Sequence, residues 1–147
     1  MYLVDTNVIS AGAPTKARVA ADLVRWMDQH SLELYVSVVT ITEIEDGIAK
    51  ARRERPKRKA SQLTAWLETL LHLYADRVIA FDLAAARVAG ALSDLARSKG
   101  IAPGFADIML AATARSRDLT ILTRNIRHFE PLGVQTVNPF DRLPPGS

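Results

Sequence analysis

The sequence has no cysteine, which excludes a disulfide framework and any zinc site built on thiolates. It has no apolar run long enough to cross a bilayer as a helix. Strand-forming residues begin at position 2, which leaves no room for a signal peptide, so the expected compartment is the cytoplasm. Internal repeats, a Gly/Ser-rich linker and low-complexity segments are likewise missing.

What is present describes one globular unit. A chain of 147 residues, 48% apolar and 24% charged, can bury a proper core in a single domain. A folded domain over 1–140 and an irregular tail over 141–147 are expected, since Pro139, Pro144 and Pro145 break the end of the chain. The net charge of +3 permits a nucleic-acid partner without demanding one. Its distribution is uneven: Lys50 to Lys59 carries seven cationic side chains and one acid. Such a run is either a solvated helix end and loop or a surface for phosphates or a partner.

Read in order, the chain alternates strand and helix signals. Tyr2-Leu3-Val4 is a strand-prone run followed at once by Asp5, in the turn-prone Asp5-Thr6-Asn7. Val19, Leu23, Trp26 and Met27 recur at helical spacing and predict a helix over about 15–29. Leu34–Val39 reads as a second strand. Thr40-Ile41-Thr42-Glu43 then opens a helix that Pro56 ends. Leu63, Trp66, Leu67, Leu70, Leu71 and Tyr74 form a continuous stripe on a helix over 57–74, a core face or, in part, a subunit contact. Val78–Phe81 is a third strand. An alanine-rich helix over 83–98 ends before Gly100, a plausible C-cap. A helix over 106–117 and strands at 120–123 and 135–137 complete the pattern. This alternation implies an α/β domain with a mainly parallel sheet of about five strands, flanked by helices on both faces.

In such a sheet, ligands bind at the carboxyl edge of the strands, at the switch point of strand order. Asp5 follows the first strand, Glu43 the second, and Asn125 the fourth, while Asp107 opens the helix before the fourth. Each has an ordinary explanation when taken alone. Asp5 can be a turn former or N-cap, and Glu43 with Thr40 has capping-box spacing. Asp107 suits a helix dipole, and Asn125 is a common turn residue. Together, three carboxylates converging on one crevice repel one another, and a cation removes that penalty. All-oxygen ligands suit a hard ion such as Mg²⁺ or Mn²⁺. His30, His72 and His128 fall outside this set and are expected to be solvated or structural. A carboxylate-bound ion near basic surface is equipment for phosphodiester hydrolysis, because the ion acidifies a bound water and stabilises charge on the phosphate.

These residues lie in stretches that resemble the PIN-domain ribonuclease toxins of bacterial toxin–antitoxin pairs, the VapC type, and within them the FitB-like branch. The matching stretches run from Tyr2 to Ser10, from Ser37 to Ile44 with Gly47-Ile48, and from Ala106 to Ala114. Leu122-Thr123-Arg124-Asn125 with Phe129, and Val137-Asn138-Pro139-Phe140, complete them. The resemblance implies that Asp5, Glu43 and Asp107 form the acidic metal-binding set. It also implies that Thr6, Asn7 and Thr123 line the pocket. Many relatives carry a fourth acid where this chain has Asn125, which adds no charge for a second ion. The resemblance further implies a homodimer and a cognate antitoxin (VapB/FitA-like) whose tail covers the active-site groove.

The expected activity is therefore that of a Mg²⁺-dependent endoribonuclease acting as a toxin. Two other readings remain open on the residues. A non-catalytic RNA- or protein-binding domain would explain Asn125. A phosphatase working through an aspartyl phosphate on Asp5 would want an acid two residues on, where this chain has Asn7.

Overall fold

The computed structural model describes residues 1–15, 20–54 and 57–145. Five strands form one parallel sheet in the order β3-β2-β1-β4-β5. They are β1 (Tyr2–Val4), β2 (Leu34–Ser37), β3 (Val78–Ile79), β4 (Thr120–Leu122) and β5 (Thr136–Val137). The helices are α1 (Thr6–Ile9), α2 (Ala21–Gln29), α3 (Val38–Arg53), α4 (Arg58–Tyr74), α5 (Leu83–Ser98), α6 (Phe105–Ser116) and α7 (Ile126–Phe129).

The central strand shows why the sheet needs helices on both sides. Leu3 and Val4 are both fully buried, yet they belong to two separate core clusters. Successive side chains of a strand face opposite ways, so each cluster covers one face. Val4, Val36 and Leu122 pack with Val8, Leu23, Trp26, Ile44, Ile48, Leu67 and Tyr74 from α1 to α4. Leu3 and Ile121 pack with Leu92, Ile108, Leu110, Phe129 and Leu132 from α5 onward. From β1 the chain winds outward to β2 and β3, then returns across the sheet to β4 and β5. A right-handed crossover taken in the reverse direction puts its helices on the opposite face, which is where α5 and α6 lie. The switch point is the gap between β1 and β4.

Several expectations change at the element ends. The segment after Asp5 forms α1 and a short 3-10 turn at Ser10–Gly12, a helix too brief to show periodicity. The next helix begins at Ala21; the expected contribution of Val19 lies outside the described residues. The second strand stops at Ser37, two residues before Val39. Ser37 is extended and its Oγ accepts from the Val39 N–H at 3.0 Å, so Ser37 is the cap that Thr40 was expected to be. Thr40 is instead fully buried with an unpartnered hydroxyl, and Glu43 falls in the second turn of α3 rather than the first. The expected stop at Pro56 lies outside the described residues; α3 ends at Arg53. Gly100, at φ +68°, follows α5, and the Ile101 N–H reaches the Ala96 carbonyl at 3.0 Å, a Schellman closure that only glycine adopts freely. The stripe on α4 faces the core: Leu67, Leu70 and Tyr74 are buried, and Leu63, Trp66 and Leu71 pack beside them. Among its described residues the segment after β5 has no helix or strand, but Phe140 and Leu143 pack against the core.

Candidate active site

The sheet registers β1 against β4 at Val4 and Leu122, and the two chains leave the sheet side by side. The Asp5 N–H donates to the Leu122 carbonyl at 2.9 Å, which brings Asp5 opposite Thr123 at the switch point. Asp5 is extended and caps α1, its Oδ1 accepting from the Thr6 N–H at 2.7 Å. Its Oδ2 accepts the Thr123 hydroxyl at 2.7 Å and the Asn7 amide at 3.2 Å. Thr123 then accepts from the Asn125 N–H at 2.9 Å, and Asn7 Oδ1 accepts from the Arg124 N–H at 3.0 Å. Loops 5–7 and 123–125 are thus laced together around one carboxylate.

That carboxylate is only 7% exposed. Burial raises its pKa above the ordinary 3.8, and the negative charge of Asp107 raises it further. The hydrogen bonds from Thr123, Thr6 and Asn7 pull the other way without cancelling the rise. Asp107 sits in the first turn of α6, on the other face of the sheet from α3. Glu43 is exposed on α3 and is joined to the site through Thr6, whose hydroxyl donates to Glu43 Oε1 at 2.6 Å. Of the three residues expected to line the pocket, Thr6 lines a cleft together with Glu43, whereas Asn7 and the fully buried Thr123 are bonded to Asp5 Oδ2. Asn125 stands at the N-terminus of α7 without a side-chain cap.

The acids meet the edge from three directions, but they are not a closed cage. Among the described residues, no three acid, imidazole or thiol side chains stand close enough to hold an ion between them. In kind, the donors fit a hard cation: all are oxygens, and the most buried one is destabilised by its own charge and by its neighbour's.

One sequence expectation is corrected here. His128 does not fall outside the acidic set: its Nδ1 lies 3.1 Å from Asp107 Oδ2. The signal was available, since His128 follows Asn125 by three residues and a helical turn returns it to the same edge. His30 is structural as expected, stacked on Trp26 with Nδ1 2.8 Å from the Trp26 carbonyl, and His72 is exposed.

Two clefts open beside the acids. One, of ≈ 290 Å³, runs from Thr6 and Glu43 over Ile48 and Trp66 to Lys50 and Lys59. The other, of ≈ 310 Å³, is lined by Gly104, Asp107, Arg127 and His128. The basic run thus contributes to a cleft that ends at Glu43: Lys50, Arg52 and Arg53 close α3, and Lys57 to Lys59 lead into α4. Its Arg55 and Pro56 lie outside the described residues. Asn7, where a phosphatase would need an acid, is spent bridging Asp5, Thr123 and Arg124.

Residues 2–132 match the PIN domain. The chain belongs to the PIN-domain family. It is 34% identical to the plasmid stability protein StbB of Pseudomonas syringae pv. tomato, over 96% of this chain and 99% of that one. It is 31% identical to the toxin FitB of Neisseria gonorrhoeae, over 95% and 99%, and 33% identical to the VapC ribonuclease Y4jK of Sinorhizobium fredii, over 96% and 99%. The crystal structure of FitAcB from Neisseria gonorrhoeae superposes with a TM-score of 0.83 at 32% identity, covering 95% of this chain and 99% of that one. A parallel five-stranded PIN fold was thus correctly expected from the sequence.

Proposed function

We propose that this PIN domain is an endoribonuclease that needs a divalent metal ion, Mg²⁺ or Mn²⁺, and acts as the toxin of a toxin–antitoxin pair. The observation that carries the reading is the buried Asp5 at the switch point, facing the charge of Asp107 and tied through Thr6 to Glu43. Near-full-length similarity to a named toxin and a named ribonuclease supports it. Asp5, Glu43 and Asp107 would hold the ion, which when bound supplies Lewis-acid stabilisation of charge on the phosphate and an acidified water. The chain's own residues do the positioning. Thr123 and Asn7 fix Asp5 Oδ2, and Thr6 orients both Asp5 and Glu43. Asn125, at the head of α7, donates its N–H to Thr123 Oγ1 and brings no charge to the site.

The partners follow from the same reading: an RNA substrate and a cognate antitoxin that covers the cleft. A homodimer is expected too; Leu83 and Phe105, 75% and 69% exposed at the starts of α5 and α6, are available to it. The test is to incubate the purified chain, free of any antitoxin, with an RNA pool in Mg²⁺, in Mn²⁺ and with a chelator. Metal-dependent internal cleavage is expected. Binding of RNA without cleavage in any metal would favour the non-catalytic reading instead.

A further inference from the structure

Arg124 is held at both ends. Its N–H is bonded to Asn7 Oδ1 at 3.0 Å, in the lattice of hydrogen bonds around Asp5. Its guanidinium carbon lies 4.0 Å from the centre of the Phe140 ring. Phe140 is itself fixed: its N–H donates to Asn138 Oδ1 at 3.0 Å, in a turn that follows β5, and its ring packs against the core. Because β4 and β5 are parallel neighbours, Arg124 and Phe140 leave the sheet at the same carboxyl edge as Asp5. The arginine is exposed and makes no salt bridge among the described residues.

An arginine stacked on a ring uses the flat face of the guanidinium and leaves its edge N–H groups free. Those donors match a phosphate in bidentate geometry. A long cationic side chain ordinarily loses rotamer freedom on binding; here the ring and the loop have already restricted it. We propose that Arg124, steadied by Phe140, binds a backbone phosphate of the RNA next to the one being cut. This rests on the ribonuclease reading given above. It gives the segment after β5 a part in the site: the Asn138–Phe140 turn is the platform on which a substrate-binding cation rests. Arg124 binds substrate, and Phe140 acts only through it as a positioning residue. An acidic side chain of a protein partner is the competing occupant, and the experiment separates the two.

The test uses a fluorescent single-stranded RNA in constant Mg²⁺, with Asp107→Asn in every chain to prevent cleavage, and dissociation constants taken across a salt series. Each phosphate bound on a single strand contributes about 0.7 to the slope of log K against log salt. Arg124→Gln should lose about that much slope, and Arg124→Lys should keep it while binding more weakly. Phe140→Leu should keep the slope and weaken binding by roughly three-fold. In chains with Asp107 intact, Arg124→Gln should raise KM far more than it lowers kcat, which a merely structural defect would not do. Arg124 is exposed, so its variants test the idea even if Phe140→Leu unfolds. An unchanged slope in Arg124→Gln, including one accompanied by weaker antitoxin binding, overturns the proposal and leaves the ribonuclease reading standing. RNA that fails to bind the chain with Arg124 and Phe140 intact overturns the proposal, and the ribonuclease reading falls with it if the wild-type chain also fails to cut RNA in Mg²⁺ or Mn²⁺.

Discussion

Asp107→Asn keeps the size of the side chain, keeps an oxygen for His128 Nδ1, and removes only the charge. The lost interaction with the α6 dipole costs at most about 1 kcal/mol, a small part of a typical stability of about 5–15 kcal/mol. Turnover should fall by at least about 100-fold, because charge stabilisation at the reacting phosphate is lost. Circular dichroism and a melting curve should stay close to wild type while RNA cleavage disappears. A folded variant cutting at the wild-type rate would refute the assignment, and an unfolded one would make Asp107 a structural cap. Asp5 makes a second prediction, of opposite sign to the usual carboxylate. Its folded pKa is raised above 3.8, so the folded state holds a proton that the unfolded state releases. Stability then falls as pH rises through that window, and the full cost remains at neutral pH. With metal chelated, wild type should therefore gain stability relative to Asp5→Asn as pH is lowered from neutral towards the ordinary carboxylate value of 3.8. A wild type that instead loses ground on acidification would show a depressed pKa, and burial would not be the dominant influence. At this scale the sequence was legible where spacing controls direction. Asp5 and Asp107 were placed at the carboxyl edge from strand and helix ends, and the structure puts them there; His128 was expected away from the acids, and its one-turn helix α7 shows no period in the sequence.

The elements differ in how much of themselves they display in sequence. The helices α4, α5 and α6 are long enough for an apolar face to recur, and their spans agree with expectation to within a residue. Four-residue α1 has no period to detect, and its presence depends on the Asp5 cap. The start of α3 was misplaced because Val38 and Val39 are strand-prone, while the cap that outweighs them is a serine. The cleft between α3 and α4 was invisible for another reason: it depends on how two helices meet. That meeting brings Lys50 and Lys59, nine positions apart in sequence, into a single cleft with Glu43. If RNA tracks this cleft, replacing both lysines with Gln should flatten the salt dependence of RNA binding by about 0.7 for each phosphate that is no longer neutralised. The melting temperature should barely move, since both side chains are exposed. An unchanged slope and unchanged antitoxin affinity would make the basic run a solvated helix end and nothing more.

Across the whole domain, the three acids come from elements in different layers of the fold. Glu43 belongs to α3 on one face of the sheet, Asp107 to α6 on the other, and Asp5 follows the strand between them and caps α1. A cation held by all three would link both layers through the central strand, so it should stabilise the fold as a unit rather than one loop. A ligand that binds only the folded state adds RT ln(1 + [L]/Kd), about 2.7 kcal/mol at a hundredfold excess over Kd. For a domain of this size each kcal/mol moves the melting temperature by roughly 2–4 °C, so saturating Mg²⁺ or Mn²⁺ should raise it by several degrees at pH 7. The effect should shrink as pH falls, because protonating Asp5 removes a ligand and relieves the repulsion that the ion offsets. Asp5→Asn, Glu43→Gln and Asp107→Asn should each blunt the response, and an inert monovalent salt at matched ionic strength should not reproduce it. Differential scanning calorimetry on the four proteins decides the matter. Equal shifts in wild type and all three variants would mean that the ion binds elsewhere, and that the crowding around Asp5 is relieved by protonation alone.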